Sequence, residues 1–195
     1  MTRIGVFGGS FNPVHNGHVI MALRAQESAD LDRVMLVPAA TPPHKEEADL
    51  LDPSLRLACL RAAFADLDGY EVDDRELVRG DVSYTVDTLE SIAADEPGAD
   101  LFFILGADSV AMLPTWRDTP RLGELATFLW VPRPGIDRSV IDAIHAELPG
   151  FSLEPVPCPV VGISGSEVRA RRDAGRTLSG WVPDAVADLL ADSAG

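Results

Sequence analysis

The chain has 195 residues and a formal net charge of −15 at pH 7, with 16 Lys and Arg against 31 Asp and Glu. So acidic a molecule has no basic face to draw in a polyanion at long range, which argues against nucleic acid as a partner. Hydrophobic residues at 46% and charged residues at 24% are ordinary globular usage, and no apolar run reaches the ~18 residues of a membrane span.

One domain over 1–195 is expected, with its last two helices (about 166–195) on the same core. The first strand begins directly after Arg3, which leaves no room for a signal peptide, so a cytoplasmic location is expected. Cys59 and Cys158 form no C-x-x-C pair, so neither a disulfide framework nor a zinc site is expected, and both read as small core residues.

Ile4-Gly5-Val6-Phe7 reads as a short strand, and an amphipathic run follows from Val19 to about Ala29. Between them lies Gly8-Gly9-Ser10-Phe11-Asn12-Pro13-Val14-His15-Asn16-Gly17-His18. Gly8 and Gly9 lack Cβ atoms, so the backbone is expected to bend there and offer bare N–H groups. A helix starting near Gly17 adds unpaired amides and the positive end of its dipole, which suits phosphate. Neither the Walker pattern nor G-x-G-x-x-G is present. What stands instead is H-x-G-H, whose two imidazoles can face one polyphosphate as charge builds up on it. The plainer alternative is a glycine-rich surface turn with two solvated histidines.

Arg33 to Pro38 is an apolar run of buried-strand type, followed by a loop carrying Pro42-Pro43-His44-Lys45. Asp52-Pro53-Ser54 opens a helix with an apolar stripe from Leu55 to Leu67. Tyr70 to Asp73 reads as a third strand, and Ser83 to Leu89 begins a helix with Ser83 or Thr85 as its cap. Leu101 to Gly106, apolar on both faces, is the central strand. A short helix at Arg121 to Leu125, a strand at Thr127 to Val131, a helix at Ile136 to Leu148 and a strand at Phe151 to Val156 follow. Two helices, from about Ser166 and from Pro183, close the chain.

Strands alternating with helices imply an α/β fold with a doubly wound parallel sheet, whose ligands sit beyond the carboxyl ends of the strands. The H-x-G-H turn, the Pro-Pro-His-Lys loop, Gly106-Ala107-Asp108 and Arg133-Pro134-Gly135 all follow strands, so all open onto one crevice. Lys45, the single lysine, can give a point charge to phosphate, or be a solvated loop residue beside Glu46 and Glu47. Asp108 can accept from ribose hydroxyls, cap the next helix, or do both. Trp116 offers a stacking face if it lies in the cleft and a core side chain if it does not. Ile163-Ser164-Gly165-Ser166-Glu167-Val168-Arg169 brings two hydroxyls and a guanidinium to a helix start, where a Ser164–Glu167 capping box and a phosphate site use the same helix end.

Together these segments, with Ser83 to Leu89 and the tail Trp181 to Val186, make the chain resemble the bacterial nicotinate-mononucleotide adenylyltransferases, a Rossmann-like family with the H-x-G-H signature, over nearly its full length. The resemblance implies transfer of the adenylyl group of ATP to nicotinate mononucleotide, giving deamido-NAD and pyrophosphate, with Mg²⁺ bound through the ATP phosphates. It implies His15, His18, Lys45 and Arg169 as catalytic residues, His18 foremost. ATP would meet Gly8, Gly9, Ser10, Phe11, Gly106, Asp108, Ile163, Ser164 and Ser166 as well. The other substrate would meet Lys45, Tyr84, Thr85, Trp116 and Arg133, with the pyridine ring on Trp116 and its carboxylate at Thr85. No protein-held metal is implied, and a homo-oligomer is compatible with all of this.

Two departures stand out. Ser164-Gly165-Ser166 replaces the family's Ser-Ser-Thr, and Asn12 replaces a frequent aspartate at a position that reads as a turn former. The rival readings are a related enzyme acting on nicotinamide mononucleotide or phosphopantetheine, a cytidylyltransferase, a catalytically idle nucleotide-binding module, and a fragment of an aminoacyl-tRNA synthetase, the last opposed by the acidic charge.

Overall fold

The computed structural model describes residues 1–41 and 50–193. Its centre is a six-stranded, all-parallel sheet in the order β3-β2-β1-β4-β5-β6, built from β1 (Arg3–Gly9), β2 (Arg33–Pro38), β3 (Tyr70–Val72), β4 (Asp100–Gly106), β5 (Thr127–Val131) and β6 (Leu153–Pro155). The chain winds outward from β1 to β3, crosses over to β4 and winds outward again. The order therefore reverses between β1 and β4, where such sheets bind ligands.

The period of two along each strand divides the apolar residues between the faces. Val34, Leu36, Phe102, Ile104, Leu129 and Val131 join one core, and Ile4, Val6, Met35, Val37, Leu101, Phe103, Leu105, Phe128 and Trp130 join the other. The first core is covered by α1 (Asn16–Ser28), α2 (Pro53–Phe64), α8 (Gly165–Asp173) and α9 (Asp184–Asp192), through residues such as Ala22, Leu60, Val168 and Val186. The second is covered by α4 (Thr85–Asp95), α5 (Ala107–Val110), α6 (Thr119–Leu125) and α7 (Arg138–Glu147). Cys59 is buried in the first core, and burial pushes its thiol up to about 11; Cys158 is only half-buried.

Several local expectations shift. Gly8 and Gly9 do not bend; they finish β1, and the turn comes at Phe11 (φ 39°) and the cis Asn12-Pro13 peptide. Neither Ser83 nor Thr85 caps α4: Tyr84 holds that position without a side-chain cap, and the Ser83 hydroxyl accepts from the Ala40 N–H instead. A short helix, α3 (Arg75–Arg79), stands where none is expected, held by Arg75 bonds to Asp73, Ser91 and Asp95. Pro53 takes the first position of α2 as expected, with the Asp52 carboxylate accepting from Ser54 N–H.

Candidate active site

A cavity of about 750 Å³ opens beyond the carboxyl ends of β1 and β4, a size that suits a nucleotide-scale ligand. Four sequence-predicted segments reach it. Gly8, Gly9, Ser10, His15 and His18 line it from β1 and α1, Tyr84 and Thr85 from α4, Gly106 and Asp108 from the end of β4, and Ser164, Ser166 and Arg169 from α8; Trp116 and Arg133 complete the wall. Phe11 and Ile163 are not lining residues. Phe11 is buried edge-on against Phe7 and His18, and Ile163 packs on the core beneath α8. Lys45 lies outside the described residues.

The H-x-G-H turn explains its own spacing. His15 precedes α1 and is 2% exposed, and the two imidazoles stack with centroids 3.7 Å apart. Gly17 makes room for this, because a Cβ there would stand 3.0 Å from His15 Nδ1. The His15 backbone N–H donates to His18 Nδ1 at 3.3 Å. An Nδ1 that accepts carries no proton, so the neutral ring holds its proton on Nε2. Burial, reinforced by the Arg133 guanidinium, lowers the His15 pKa from 6.5 to about 4, so that ring is neutral at pH 7. The two imidazoles thus differ: His15 is a buried neutral ring, and His18, the foremost of the pair by the family resemblance, stacks on it at the cavity.

The helix α8 begins against the same turn. Ser164 caps it by accepting from the Glu167 N–H at 3.2 Å, and Arg169 Nη1 donates to the Asn12 carbonyl at 2.7 Å. A Cβ on residue 165 would come within 2.7 Å of that carbonyl oxygen. Gly165 is therefore what permits this approach, and with it the convergence of two helix N-termini, α1 and α8, on one cavity. Asn12 Oδ1 accepts from the Leu51 N–H at 2.8 Å, which fits a turn former.

Elsewhere on the wall, Asp108 makes no cap bond; its carboxylate lies 3.7 Å from Arg133 Nε. Trp116 meets Phe103 edge-on at 5.9 Å, and Arg117 lies 4.7 Å above the Tyr84 ring. Among the cavity or near-cavity groups that sequence reasoning missed, besides Ser109, Thr115 and Arg117 on the wall, three are buried. Buried Glu76 and Thr88 line the wall, with the Thr88 hydroxyl donating to Glu76 and tying α3 to α4. Fully buried Arg56 sits behind the wall on α2. Both charged residues lie within runs that read as solvated or apolar, and the only signal was a charge on the inward helix face.

Comparison with known proteins agrees with this architecture. The family described as cytidylyltransferase-like matches residues 6–171. The probable nicotinate-nucleotide adenylyltransferase of Thermus thermophilus is 43% identical over 184 residues, covering 94% of each chain. That of Citrifermentans bemidjiense is 39% identical, covering 94% of this chain and 93% of its own. Among solved structures, the Plasmodium falciparum nicotinic acid mononucleotide adenylyltransferase complexed with NaAD superposes with a TM-score of 0.81 at 18% identity, over 99% of this chain and 96% of that one, a likeness of fold. A family match across most of the chain, and relatives this similar over nearly their whole length, mean that the chain belongs to the cytidylyltransferase-like family and, within it, to the nicotinate-nucleotide adenylyltransferases.

Proposed function

We infer that the chain transfers the adenylyl group of ATP to nicotinate mononucleotide, releasing pyrophosphate and forming deamido-NAD, a step of NAD biosynthesis. The observation that carries this reading is the meeting, on one cavity, of two helix N-termini, a histidine donor, a guanidinium and two serine hydroxyls with an aromatic wall of Tyr84 and Trp116. The names of the relatives point the same way.

The 5′-phosphate of the mononucleotide needs no general base, since its second pKa lies near ~6. One of its oxygens attacks the α-phosphorus in line, the bond between that phosphorus and the bridging oxygen breaks, and the electron pair leaves with pyrophosphate. What remains for the protein is alignment and stabilisation of charge. His18 Nε2–H and Arg169 serve the α-phosphoryl and the leaving group, and Ser164, Ser166 and the Gly8-Gly9-Ser10 backbone hold the phosphates. Asp108 receives the ribose. His15 positions His18 rather than carrying charge. Lys45 completes the phosphate contacts.

Recognition of nicotinate follows from α4. Its first-turn amides have no side-chain cap, and Tyr84 and Thr85 at that end line the cavity. The positive end of a helix there favours a carboxylate over a carboxamide, while Trp116 stacks on the ring and Arg133 adds positive charge.

Enzymes that take ATP generally use a divalent metal. We read it here as Mg²⁺ arriving with ATP, since Mg²⁺ keeps most of its waters and needs few protein ligands. Among the described residues the carboxylates lining the cavity are Glu76, which accepts from Thr88, and Asp108, which lies 3.7 Å from Arg133, so no cluster of carboxylates stands ready for a metal. The same reading takes residues 1–195 as one domain acting in the cytoplasm, with support from Val168, Val186 and Leu190 in the core that α2 shares.

Pyrophosphate release from MgATP with nicotinate mononucleotide, nicotinamide mononucleotide or phosphopantetheine tests the proposal. Clear preference for nicotinate mononucleotide is expected. Preference for either other acceptor overturns the substrate, and ATP binding without release from any acceptor overturns the reaction.

A further inference from the structure

Arg56 is an odd residue to find on α2. It is 0% exposed, and among the described residues it forms no ion pair. Burial lowers its pKa from the usual arginine value, with Asp52 acting weakly the other way. A cation in this position is expensive unless its donors are met, and an apolar residue of similar volume would serve the fold at least as well.

Among the described residues, four of its five N–H donors go to backbone carbonyls. Nη1 donates to the carbonyls of Ser10 and Ala39, each at 2.8 Å; Nε donates to Leu51 at 3.2 Å and Nη2 to Ala40 at 3.4 Å. Those four carbonyls belong to three segments that meet nowhere in sequence: the turn after β1, the end of β2 and the lead-in to α2. Ser10 and Ala39 line the cavity. The rigid, planar fork of a guanidinium can hold several acceptors at set angles, which a lysine ammonium on a flexible stem cannot.

We propose that Arg56 is a positioning residue for adenylyl transfer: its guanidinium locks the turn after β1 to the end of β2 and so sets the phosphate-facing wall at the spacing the reaction needs. The proposal rests on adenylyl transfer being the reaction. The guanidinium touches no substrate and acts through the Ser10 and Ala39 carbonyls. Displacement of reacting groups by about 1 Å is enough to lower turnover by ~10²-fold.

Two variants separate the fork from its charge. Arg56→Lys keeps the cation and loses the planar donor set, and Arg56→Gln keeps a planar donor and loses the cation. Each is assayed for kcat and for both KM values well below its melting temperature, beside the wild type. In both, kcat is expected to fall by ~10-fold to ~100-fold, with either KM moving by less than about threefold. Wild-type kcat in Arg56→Lys beside an impaired Arg56→Gln would mean that charge matters and not the fork, which overturns the proposal. So would unchanged kcat in both, a loss carried by KM alone, or failure of both to fold, since the guanidinium would then serve only stability. A wild type that releases no pyrophosphate defeats the reaction itself, an outcome distinct from all of these.

Discussion

His15 and His18 stand three positions apart and stack face to face, yet burial assigns them different work. With its pKa lowered to about 4, His15 refuses a proton that it would accept at 6.5 in the unfolded chain. Between those two pH values the unfolded state binds more protons, so this group makes folding less favourable as pH falls through the window and is without effect above it. The gap sets a ceiling of roughly 3 kcal/mol. His15→Gln removes the group, so the melting temperature of the variant is expected to fall less than that of the wild type between pH 6.5 and pH 4.5. Parallel curves would mean that His15 is not held neutral. His18 is expected to matter in a different way. His18→Ala keeps the fold at a modest cost in melting temperature, because the His15 N–H loses its acceptor, and lowers kcat by ~10²-fold or more, the range for a lost donor to developing charge; a folded variant with wild-type turnover would remove His18 from the mechanism. The motif itself was legible because its spacing is short and local. The resemblance to the family put His18 foremost, but that His15 is held neutral was not legible, since it follows from burial around His15 and from the Arg133 charge.

At the scale of elements, the decisive contact is the start of α8 against the turn after β1. With only 2.7 Å between a Cβ at residue 165 and the Asn12 carbonyl, Gly165→Ala must push α8 outward or turn that carbonyl away from Arg169. Overpacking of this kind costs about 1–3 kcal/mol. We expect a lower melting temperature together with at least a severalfold loss of kcat/KM for ATP, since Arg169 and both serines move with the helix. Equal stability and equal kcat/KM would show that the close approach is unimportant. The glycine that reads in sequence as a missing hydroxyl is thus the residue that lets the two helix ends converge. Strands β2 and β5 were legible to the residue, because an apolar run of six or five residues rich in β-branched and aromatic side chains is too short for a buried helix. α3 was not, because its five residues, Arg-Glu-Leu-Val-Arg, are too few to show a period and are held by Arg75 contacts from distant residues. Arg56 was hidden for a related reason: its acceptors are carbonyls, which leave no mark in a sequence.

For the whole molecule, the net charge of −15 surrounds a site built for two anions. Raising the total ionic strength, the magnesium salt included, from 0.01 M to 0.1 M shortens the screening length from ~30 Å to ~10 Å. Repulsion from acidic residues spread over the surface acts across distances longer than that and is largely removed. Attraction from Arg169 and Arg133, which line the cavity, acts at contact and is screened much less. At fixed, saturating Mg²⁺, kcat/KM for both nucleotides should therefore rise with salt across this range, most plainly at low substrate. An enzyme that caught its substrates with a basic face would show the opposite slope, because counter-ions would compete for that face. A steep fall in kcat/KM here would mean that long-range attraction, and not the local cradle of helix ends, histidine and guanidinium, captures the phosphates.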